Sequence, residues 1–246
     1  IFAGSVGFTG AAFLSSLASV KAGAGLVTIF AHPENISIYD NKPYEVMVRE
    51  IPLLPDGNID CAALNTVLEK YDVILFGPGC TVSDFTLQIL HFILDDWNKS
   101  AVIDADGLNT LAKHPELYNK LAQKPIVLTP HWGEFCRLAE ISMEDLKENS
   151  VQILKDFVSK HQLKVLLKSA TSVYCDDDIT YINTSGNDGL ATGGSGDVLS
   201  GLIAGFLAQK MTPADAAGMA SYYLGLTAER LAEKQDTISI IPTDIL

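Results

Sequence analysis

The chain has 246 residues, of which 48% are hydrophobic and 19% are charged, so it can bury a sizeable core and its composition argues against disorder. Its 30 acidic residues outnumber its 17 basic ones, and the net charge of −13 argues against nucleic acid or an anionic membrane as partner. The four cysteines form no CxxC pair, which argues against a zinc site and favours a reducing cytoplasm.

The start of the chain is apolar, but it does not have the pattern of a targeting segment. It lacks a basic region, and no apolar run reaches the ~18 residues that span a bilayer. The chain opens with Ile1-Phe2-Ala3, which is typical of the end of a strand, and we expect residues upstream of it. Gly10-Ala11-Ala12 precedes a predicted helix that ends near Gly23. This helix start either faces a ligand or is a tightly packed turn.

Short apolar runs alternate with helical patterns along the middle of the chain. Continuous apolar strands are typical of a parallel sheet that is covered on both faces, and their alternation with helices implies right-handed crossovers. The sequence therefore predicts an α/β fold with a mostly parallel, doubly wound sheet and helices on both faces, in one domain over residues 1–246. The predicted strands are 26–30, 73–76, 101–103, 126–128 and 165–167, and the predicted helices are 61–70, 86–97 and 150–161.

The last third of the chain carries a hairpin pattern followed by two helices. Residues 172–182 predict a hairpin whose turn is the acidic run Asp176–Asp178, which we interpret as solvated and not as a metal site. Residues 197–209 are apolar almost all round, which predicts a buried helix. Thr212 and Pro213 then provide a cap and a first residue for a helix that continues to about Glu233.

A polar or glycine-containing segment follows each of four predicted strands. Ligands of open α/β sheets bind outside the carboxyl ends of the strands, so the four segments together predict one composite site. Because His131 follows a proline at a strand end, we expect it to be exposed to the crevice. The segments are 77–79, 104–109, 129–134 and 168–171.

The strongest local motif is the glycine-rich segment 193–196, which leads through Asp197 into the buried helix. Glycines let the backbone turn tightly and direct N–H groups towards an anion, and the start of a helix carries partial positive charge. The segment therefore predicts a phosphate cradle. We expect the helix dipole to keep Asp197 ionised at neutral pH, so that it can accept a proton from a hydroxyl group. The alternative is that Asp197 only caps the helix.

These motifs resemble those of the NAD(P)H-hydrate dehydratases, in the order of that family and over nearly the whole chain. The resemblance implies a ribokinase-like fold. It also implies a lyase that returns the S-epimer of hydrated NADH or NADPH to NADH or NADPH, with ADP or ATP as co-substrate and Mg²⁺ as cofactor. The motifs are Gly77-Pro-Gly, Asp104-Ala-Asp-Gly-Leu-Asn, Thr129-Pro-His-Trp-Gly-Glu-Phe, Asn183-Thr-Ser-Gly-Asn and Thr192-Gly-Gly-Ser-Gly-Asp.

The resemblance also implies roles for individual residues, with Asp197 as the catalytic base. Glu134 either helps to hold Mg²⁺ through water or occupies a surface position, and no side chain is expected to bind the metal directly. The residues expected to contact the hydrated dinucleotide are Ala11 (or its neighbour Ala12), Gly79, His131 and Asp197. Those expected to contact the adenine nucleotide are Lys168, Ser169, Ala170, Thr171, Ser172 and Gly196, and further candidates are Asn109, Asn183 and Gly194.

The resemblance further implies a cytoplasmic homotetramer that is paired with, or fused behind, an epimerase. Ser169 departs from the family pattern, which usually has glycine after Lys168, and Lys168 itself either pairs with phosphate or packs its stem. The alternative function is a small-molecule kinase of the same superfamily, acting on hydroxymethylpyrimidine or hydroxyethylthiazole. Such a kinase would use the same cradle and Asp197, but its product would stay phosphorylated.

Overall fold

The strands of the computed structural model, which describes residues 1–122 and 124–246, form two sheets. The strands are β1 (Val27–Ala31), β2 (Val46–Glu50), β3 (Val73–Phe76), β4 (Ser100–Ile103), β5 (Ile126–Leu128), β6 (Lys164–Leu167), β7 (Val173–Cys175) and β8 (Thr180–Ile182). The larger sheet has the order β3-β4-β5-β6-β7-β8, parallel from β3 to β6 and antiparallel from there to β8. The smaller sheet pairs β1 with β2 in parallel.

Helices connect the parallel strands. The α-helices are α1 (Thr9–Lys21), α2 (Cys61–Leu68), α3 (Asp84–Asp95), α4 (Asp106–Ala112), α5 (Tyr118–Leu121), α6 (Trp132–Ala139), α7 (Met143–His161), α8 (Ser195–Ala208), α9 (Pro213–Ala232) and α10 (Pro242–Ile245). Short 3₁₀ helices lie at Pro33–Tyr39, Pro115–Leu117, Asp188–Leu190 and Thr237–Ser239. Within residues 1–122 and 124–246 we find no helix with the length and apolar character that a membrane crossing requires.

The central strands are buried on both faces, as their continuous apolar sequences predict. Successive side chains of a strand point to opposite faces, so each strand contributes to two cores. Leu75, Val102, Val127 and Leu166 pack with α1, α8 and α9, whereas Ile74, Ala101, Ile126 and Val165 pack with α3, α4, α6 and α7. The predicted α/β fold with a mostly parallel sheet and helices on both faces is confirmed.

The first two residues join the two sheets. The Phe2 N–H donates to the Leu75 carbonyl at 2.8 Å, and the Phe30 N–H donates to the Ile1 carbonyl at 2.8 Å. Phe2 also forms a parallel bridge with Phe76. Residues 1 and 2 therefore lie between β1 and β3 and bring the carboxyl ends of both strands to the same edge.

Several boundaries differ from the predicted ones for local reasons. Helix α1 begins at Thr9, so Gly10-Ala11-Ala12 lies inside its first turn and does not precede it. Helix α7 begins at Met143 and not at residue 150, because non-helical angles at Asn149 (φ −152°, ψ 54°) kink it and interrupt the pattern. Strand β2 was not predicted, since its exposed residues hide the apolar pattern of a strand.

The predicted hairpin and the last long helix, which was predicted to start at Pro213, are confirmed. Strands β7 and β8 pair in antiparallel fashion, and the Asp176 carboxylate accepts from the Asp178 and Ile179 N–H groups, which closes the turn. Helix α9 begins at Pro213, with the Thr212 hydroxyl accepting from the Asp215 N–H at 3.1 Å.

Close packing of α1 against α8 fixes the position of the glycine-rich segment. The Ser19 hydroxyl donates to the Gly201 carbonyl at 2.9 Å. A Cβ on Gly201 would lie 2.2 Å from the Ser15 carbonyl oxygen and 2.7 Å from the Ala18 Cβ. Only glycine fits there, so the two helices can approach closely and α8 is held firmly over the sheet.

We predict that Gly201→Ala lowers the free energy of unfolding by about 1–3 kcal/mol, because the added methyl group forces α1 and α8 apart. Gly10→Ala is the matched control, since a Cβ on this helical glycine meets nothing within 4 Å. It should leave stability unchanged or raise it by roughly 0.5–1 kcal/mol. Urea unfolding of both variants measures the effect, and equal stabilities would contradict the close helix contact.

Candidate functional site

The four predicted polar segments meet at the carboxyl edge of the sheet. Gly77 has φ 120°, and a Cβ on it would lie 1.9 Å from the Asp104 carbonyl oxygen and 2.6 Å from the Gly107 nitrogen. The segments after β3 and β4 therefore touch, which only glycine permits. The Lys168 N–H donates to the Pro130 carbonyl at 2.7 Å, which joins the segments after β5 and β6.

A buried ion pair lies at the centre of this edge. The Lys168 Nζ donates to the Asp104 Oδ1 at 2.7 Å, and the two side chains are 17% and 1% exposed. Burial alone would lower the pKa of Lys168, but the negative charges of Asp104, Glu134 and Asp197 outweigh it and raise that pKa. The ammonium group of Lys168 therefore stays charged. The sequence suggested that Lys168 either pairs with phosphate or packs its stem, and neither interpretation named Asp104 as its partner.

A strained turn holds Asp104 in place. Ala105 has φ 47° and ψ −117°, a region that L-residues other than glycine rarely adopt. Its N–H donates to the Asp104 Oδ1 at 2.9 Å. Such a conformation costs about 1–3 kcal/mol and is found mainly at functional sites. Asp104 belongs to the predicted segment 104–109, but the sequence assigned it no individual role, although its place directly after a buried strand was a usable signal.

The glycine-rich segment forms the start of α8. Gly194, with φ 101°, is the N-cap, and no side chain caps the helix. The interpretation of Asp197 as a cap is therefore wrong, because it lies in the first turn. A Cβ on Gly196 would lie 3.4 Å from the Lys168 Nζ, so the ammonium group adjoins the segment. The Ser195 hydroxyl is buried without a hydrogen-bond partner among the described residues.

Asp197 is a carboxylate with a pKa shifted towards neutrality. Burial raises its pKa, the nearby charge of Asp104 raises it further, and Lys168 opposes both, with a net pKa of about 6. The sequence predicted that the helix dipole favours the charged form of Asp197, and the pKa is instead shifted in the opposite direction. At pH 7 most of the Asp197 carboxylates are still ionised, and a higher pKa makes them better proton acceptors.

His131 and Glu134 cap α6 reciprocally. The His131 Nδ1 accepts from the Gly133 N–H at 3.0 Å and the Glu134 N–H at 3.3 Å, while the Glu134 Oε2 accepts from the His131 N–H at 2.9 Å. The neutral imidazole therefore carries its proton on Nε2. His131 is 55% exposed, as expected, and burial of the rest of the ring lowers its pKa, assisted by Lys168 and Arg137. Glu134 is 5% exposed, so the surface alternative is wrong.

A cleft of about 840 Å³ lies between the segment after β6 and the start of α8. Apolar side chains of Leu190, Leu199 and Leu224 line part of it, and the sequence did not single them out. The predicted residues that line the cleft are His131, Lys168, Ser169, Ala170, Ser172, Asn183, Gly194 and Gly196. Thr171 instead lines a neighbouring groove, where its N–H donates to the Ser169 hydroxyl at 3.2 Å.

The two asparagines that were named as candidate site residues, Asn109 and Asn183, hold segments of the site together. The Asn183 amide nitrogen donates to the Ser185 carbonyl at 3.1 Å, and its oxygen accepts from the Ser185 hydroxyl at 2.9 Å. The Asn109 oxygen accepts from the Arg137 Nε at 3.1 Å, which ties α4 to α6. Their side chains therefore support the loops around the site.

Ala11 and Gly79 lie together on a separate part of the same edge. A Cβ on Gly79 would lie 3.0 Å from the Ala11 Cβ and 2.9 Å from the Phe8 carbonyl oxygen. Ala12 is completely buried, whereas Ala11 is partly exposed, so Ala11 is the one of the two that can contact a ligand. The pair does not line the 840 Å³ cleft. The contact of Gly77 with Asp104 connects it to the ion pair.

Comparisons with known proteins identify the family of this chain. A model of the family described as NAD(P)H-hydrate dehydratase matches residues 1–246. A bifunctional NAD(P)H-hydrate repair enzyme of Moorella thermoacetica is 37% identical over 99% of this chain and 46% of its own length. The chain spans about half the length of the curated relatives that it matches most strongly.

Two solved structures share the fold. A ribokinase-like superfamily protein of Enterococcus faecalis has a TM-score of 0.82 at 28% identity, covering 99% of this chain and 82% of its own. An ADP/ATP-dependent NAD(P)H-hydrate dehydratase of Bacillus subtilis, co-crystallised with ATP and Mg²⁺, has a TM-score of 0.80 at 25% identity, covering 99% and 84%. The ribokinase-like fold is confirmed, and this chain belongs to the NAD(P)H-hydrate dehydratase family.

Proposed function

We propose that this chain catalyses the nucleotide-dependent dehydration of the S-epimer of hydrated NADH or NADPH, with ADP or ATP as co-substrate. It would be a carbon–oxygen lyase that repairs a damaged metabolite. The observation that carries the proposal is the Asp197 carboxylate, with its pKa of about 6, at the start of α8 beside the Lys168 ammonium. Membership of the family favours this function over a small-molecule kinase.

The nucleotide would bind in the 840 Å³ cleft, with its terminal phosphate at the start of α8. The first N–H groups of a helix have no partner within it, and they favour an anion. The buried Ser195 hydroxyl, which has no hydrogen-bond partner among residues 1–122 and 124–246, would donate to a phosphate oxygen. The Lys168 ammonium next to Gly196 would balance the phosphate charge. Roles for Ser169, Ala170 and Ser172 in holding the nucleotide are supported by their place in the cleft wall.

The chemistry begins with proton removal by Asp197 from the hydroxyl group of the hydrated ring. The hydroxyl oxygen then attacks the terminal phosphorus of the nucleotide, and the bond to the departing AMP or ADP breaks. The ring nitrogen next expels the new phosphate group, which takes the electrons of the carbon–oxygen bond. Loss of a proton from the neighbouring ring carbon to this phosphate restores the dihydronicotinamide. The sum is loss of water from the ring and hydrolysis of the nucleotide.

Ala11, Gly79 and His131 would contact the hydrated dinucleotide. Ala11 and Gly79 present little side chain, so a ligand can approach their backbone closely. The neutral His131 ring would donate a hydrogen bond from Nε2 to the substrate. It would not act as a base, because its Nδ1 already accepts two backbone hydrogen bonds.

The residues around the ion pair fit Mg²⁺. Among the described residues no three His, Cys, Asp or Glu side chains form a metal cage. Asp197 and Glu134 are nevertheless both close enough to Lys168 to raise its pKa. Mg²⁺ is usually held by one or two carboxylates, water and substrate phosphates, so these two would hold it through water. Bound Mg²⁺ would neutralise charge on the transferred phosphoryl group.

We further propose the arrangement of the whole protein. Residues 1–246 would form one ribokinase-like domain that is paired with, or fused behind, an epimerase. The bifunctional repair enzymes of about twice this length support such a pairing. We also propose a cytoplasmic location, which the four unpaired cysteines favour, and a homotetramer, which the family resemblance implies.

A direct assay tests the function. Hydrated NADH of S configuration, incubated with the chain, Mg²⁺ and ADP or ATP, should regain the absorbance of the reduced ring and release equal amounts of inorganic phosphate. Asp197→Asn should lower the rate about 10²- to 10⁴-fold, because the base is lost. Asp178→Asn, in the exposed β7–β8 turn, is the control and should keep the wild-type rate. No recovery with either nucleotide would contradict the dehydratase.

The pH dependence of kcat/KM should report the ionisation of Asp197. Since the carboxylate must be ionised to act and its pKa is about 6, kcat/KM should fall about tenfold per pH unit below that value. Asp104→Asn removes a negative charge that raises the pKa of Asp197, so this acidic limb should move to lower pH. Asp178→Asn should leave the limb in place. A limb that moves upward in the Asp104 variant would contradict the assignment.

Stability measurements test the cost of this carboxylate independently of turnover. The folded-state pKa of Asp197 is about 6 and its ordinary value is 3.8, so folding favours the protonated form. The contribution of Asp197 to wild-type stability should therefore fall as pH rises from about 4 to 6. Asp197→Asn should be about 2–3 kcal/mol more stable than wild type at pH 8, and this gain should vanish below about pH 4. Urea unfolding at both pH values is the measurement, and a destabilised Asn variant at pH 8 would contradict the burial of the charge.

A further inference from the structure

A second cavity lies on the same sheet edge, between the carboxyl ends of β1 and β3. It has a volume of about 240 Å³, and we call it the β1–β3 pocket. Its lining includes Ala3, Gly4, His32, Asn35, Cys80 and Phe85. Ser5 also lines it, and its hydroxyl donates to the Gly79 carbonyl at 2.8 Å. The pocket therefore opens beside the Ala11–Gly79 pair and not beside the nucleotide cleft.

The walls of the β1–β3 pocket suit a flat heterocycle. Its floor is apolar and buried, with Phe2, Phe30 and Ile51. The His32 ring packs edge-on against the Phe85 ring, with 4.9 Å between the ring centroids and an angle of 74°. The Asn35 amide has no hydrogen-bond partner in the described part of the chain, so its donor and acceptor are available to a ligand. A concave site that combines an apolar floor with a few polar groups is the usual form of a small-molecule site.

The charge of the pocket argues against a phosphate group as its occupant. Within residues 1–122 and 124–246, no lysine or arginine lines it, and Glu34 is among its lining residues. The start of α3 also lines it, but there the Ser83 hydroxyl already accepts from the Thr86 N–H at 3.2 Å and Asp84 adds a negative charge. Phosphate groups are normally bound by basic side chains or helix N-termini. An uncharged aromatic base is therefore the better match.

The position of the pocket matches the length of a dinucleotide. Lys168 follows β6 and Cys80 follows β3, and these strands are three places apart in the sheet. Adjacent strands are separated by ~4.8 Å, so the two positions lie roughly 14 Å apart along the edge. If the reacting nicotinamide ring lies at Asp197, the adenine base of an extended dinucleotide reaches the β1–β3 pocket.

We propose that the β1–β3 pocket binds the adenine base of the hydrated dinucleotide, while its hydrated ring lies at Asp197. This proposal rests on the proposed function, because it takes the dinucleotide as substrate. In it the base contacts the His32 ring and hydrogen-bonds the Asn35 amide, and the pyrophosphate passes the Ala11–Gly79 pair. The pocket then contributes to substrate affinity and not to the chemical step.

Equilibrium binding of NADH, the product, tests the proposal without any turnover. The affinities of NADH and of reduced nicotinamide mononucleotide, which lacks the adenosine half, are measured by calorimetry with the nucleotide cleft saturated by ADP. His32→Asn keeps a side chain that can cap the turn at Glu34 but removes the ring. It should weaken NADH binding about tenfold, the loss expected for one base–aromatic contact, and leave the mononucleotide unchanged. Asn35→Ala should act in the same direction.

His91→Asn is the matched control, because this histidine is half-exposed on α3 and does not line the pocket. It should leave both affinities unchanged. If neither pocket variant weakens NADH binding, or if both ligands weaken equally, the pocket does not bind the adenine base. Failure of the proposed function gives a different result, namely a wild-type chain that binds NADH in this way but does not restore hydrated NADH.

Discussion

The buried pair of Lys168 and Asp104 is the interaction on which the rest of the site depends. It joins the segment after β6 to the segment after β4, across the intervening strand β5. A buried ammonium group without its carboxylate would be unstable, so the two segments must stay in register. The pair also sets the electrostatics of Asp197, because Asp104 raises its pKa and Lys168 lowers it. One contact thereby fixes the position of the Lys168 ammonium group and shifts the pKa of Asp197.

Several locally unfavourable features gather around this pair. Ala105 adopts a strained backbone, Asp197 is a carboxylate in a buried environment, and the Ser195 hydroxyl has no hydrogen-bond partner in the described part of the chain. Each of them costs free energy in the absence of a ligand. The close packing of α1 on α8 at Gly201 offsets part of this cost and keeps the start of α8 fixed. Such a concentration of strain and unsatisfied groups is typical of a site that is organised before its ligand arrives.

The sequence predicted the features that depend on local pattern. The central strands are continuous apolar runs, and the glycine-rich segment before Asp197 is typical of a tight turn at the start of a helix, so the sequence predicted both. What it did not predict depends on tertiary contacts. The role of Asp104 requires a residue 64 positions away, and the raised pKa of Asp197 comes from burial, whereas the sequence reveals only the helix dipole. Tertiary packing also decides the position of Glu134. The sequence allowed either a surface position or a place in the site, and in the structure the side chain is buried.

In the proposed function, the order of features along the sheet edge separates phosphoryl transfer from the recognition of a long substrate. The glycine-rich segment and Lys168 lie at the β6 end, where in this proposal they would bind the phosphate irrespective of which hydroxyl group accepts it. The Ala11–Gly79 pair and the β1–β3 pocket lie towards the other end, where no lysine or arginine is among the described lining residues of the pocket. A kinase for a small alcohol needs only the first part. A second binding region three strands away is useful only to a substrate long enough to reach it, and a dinucleotide is such a substrate.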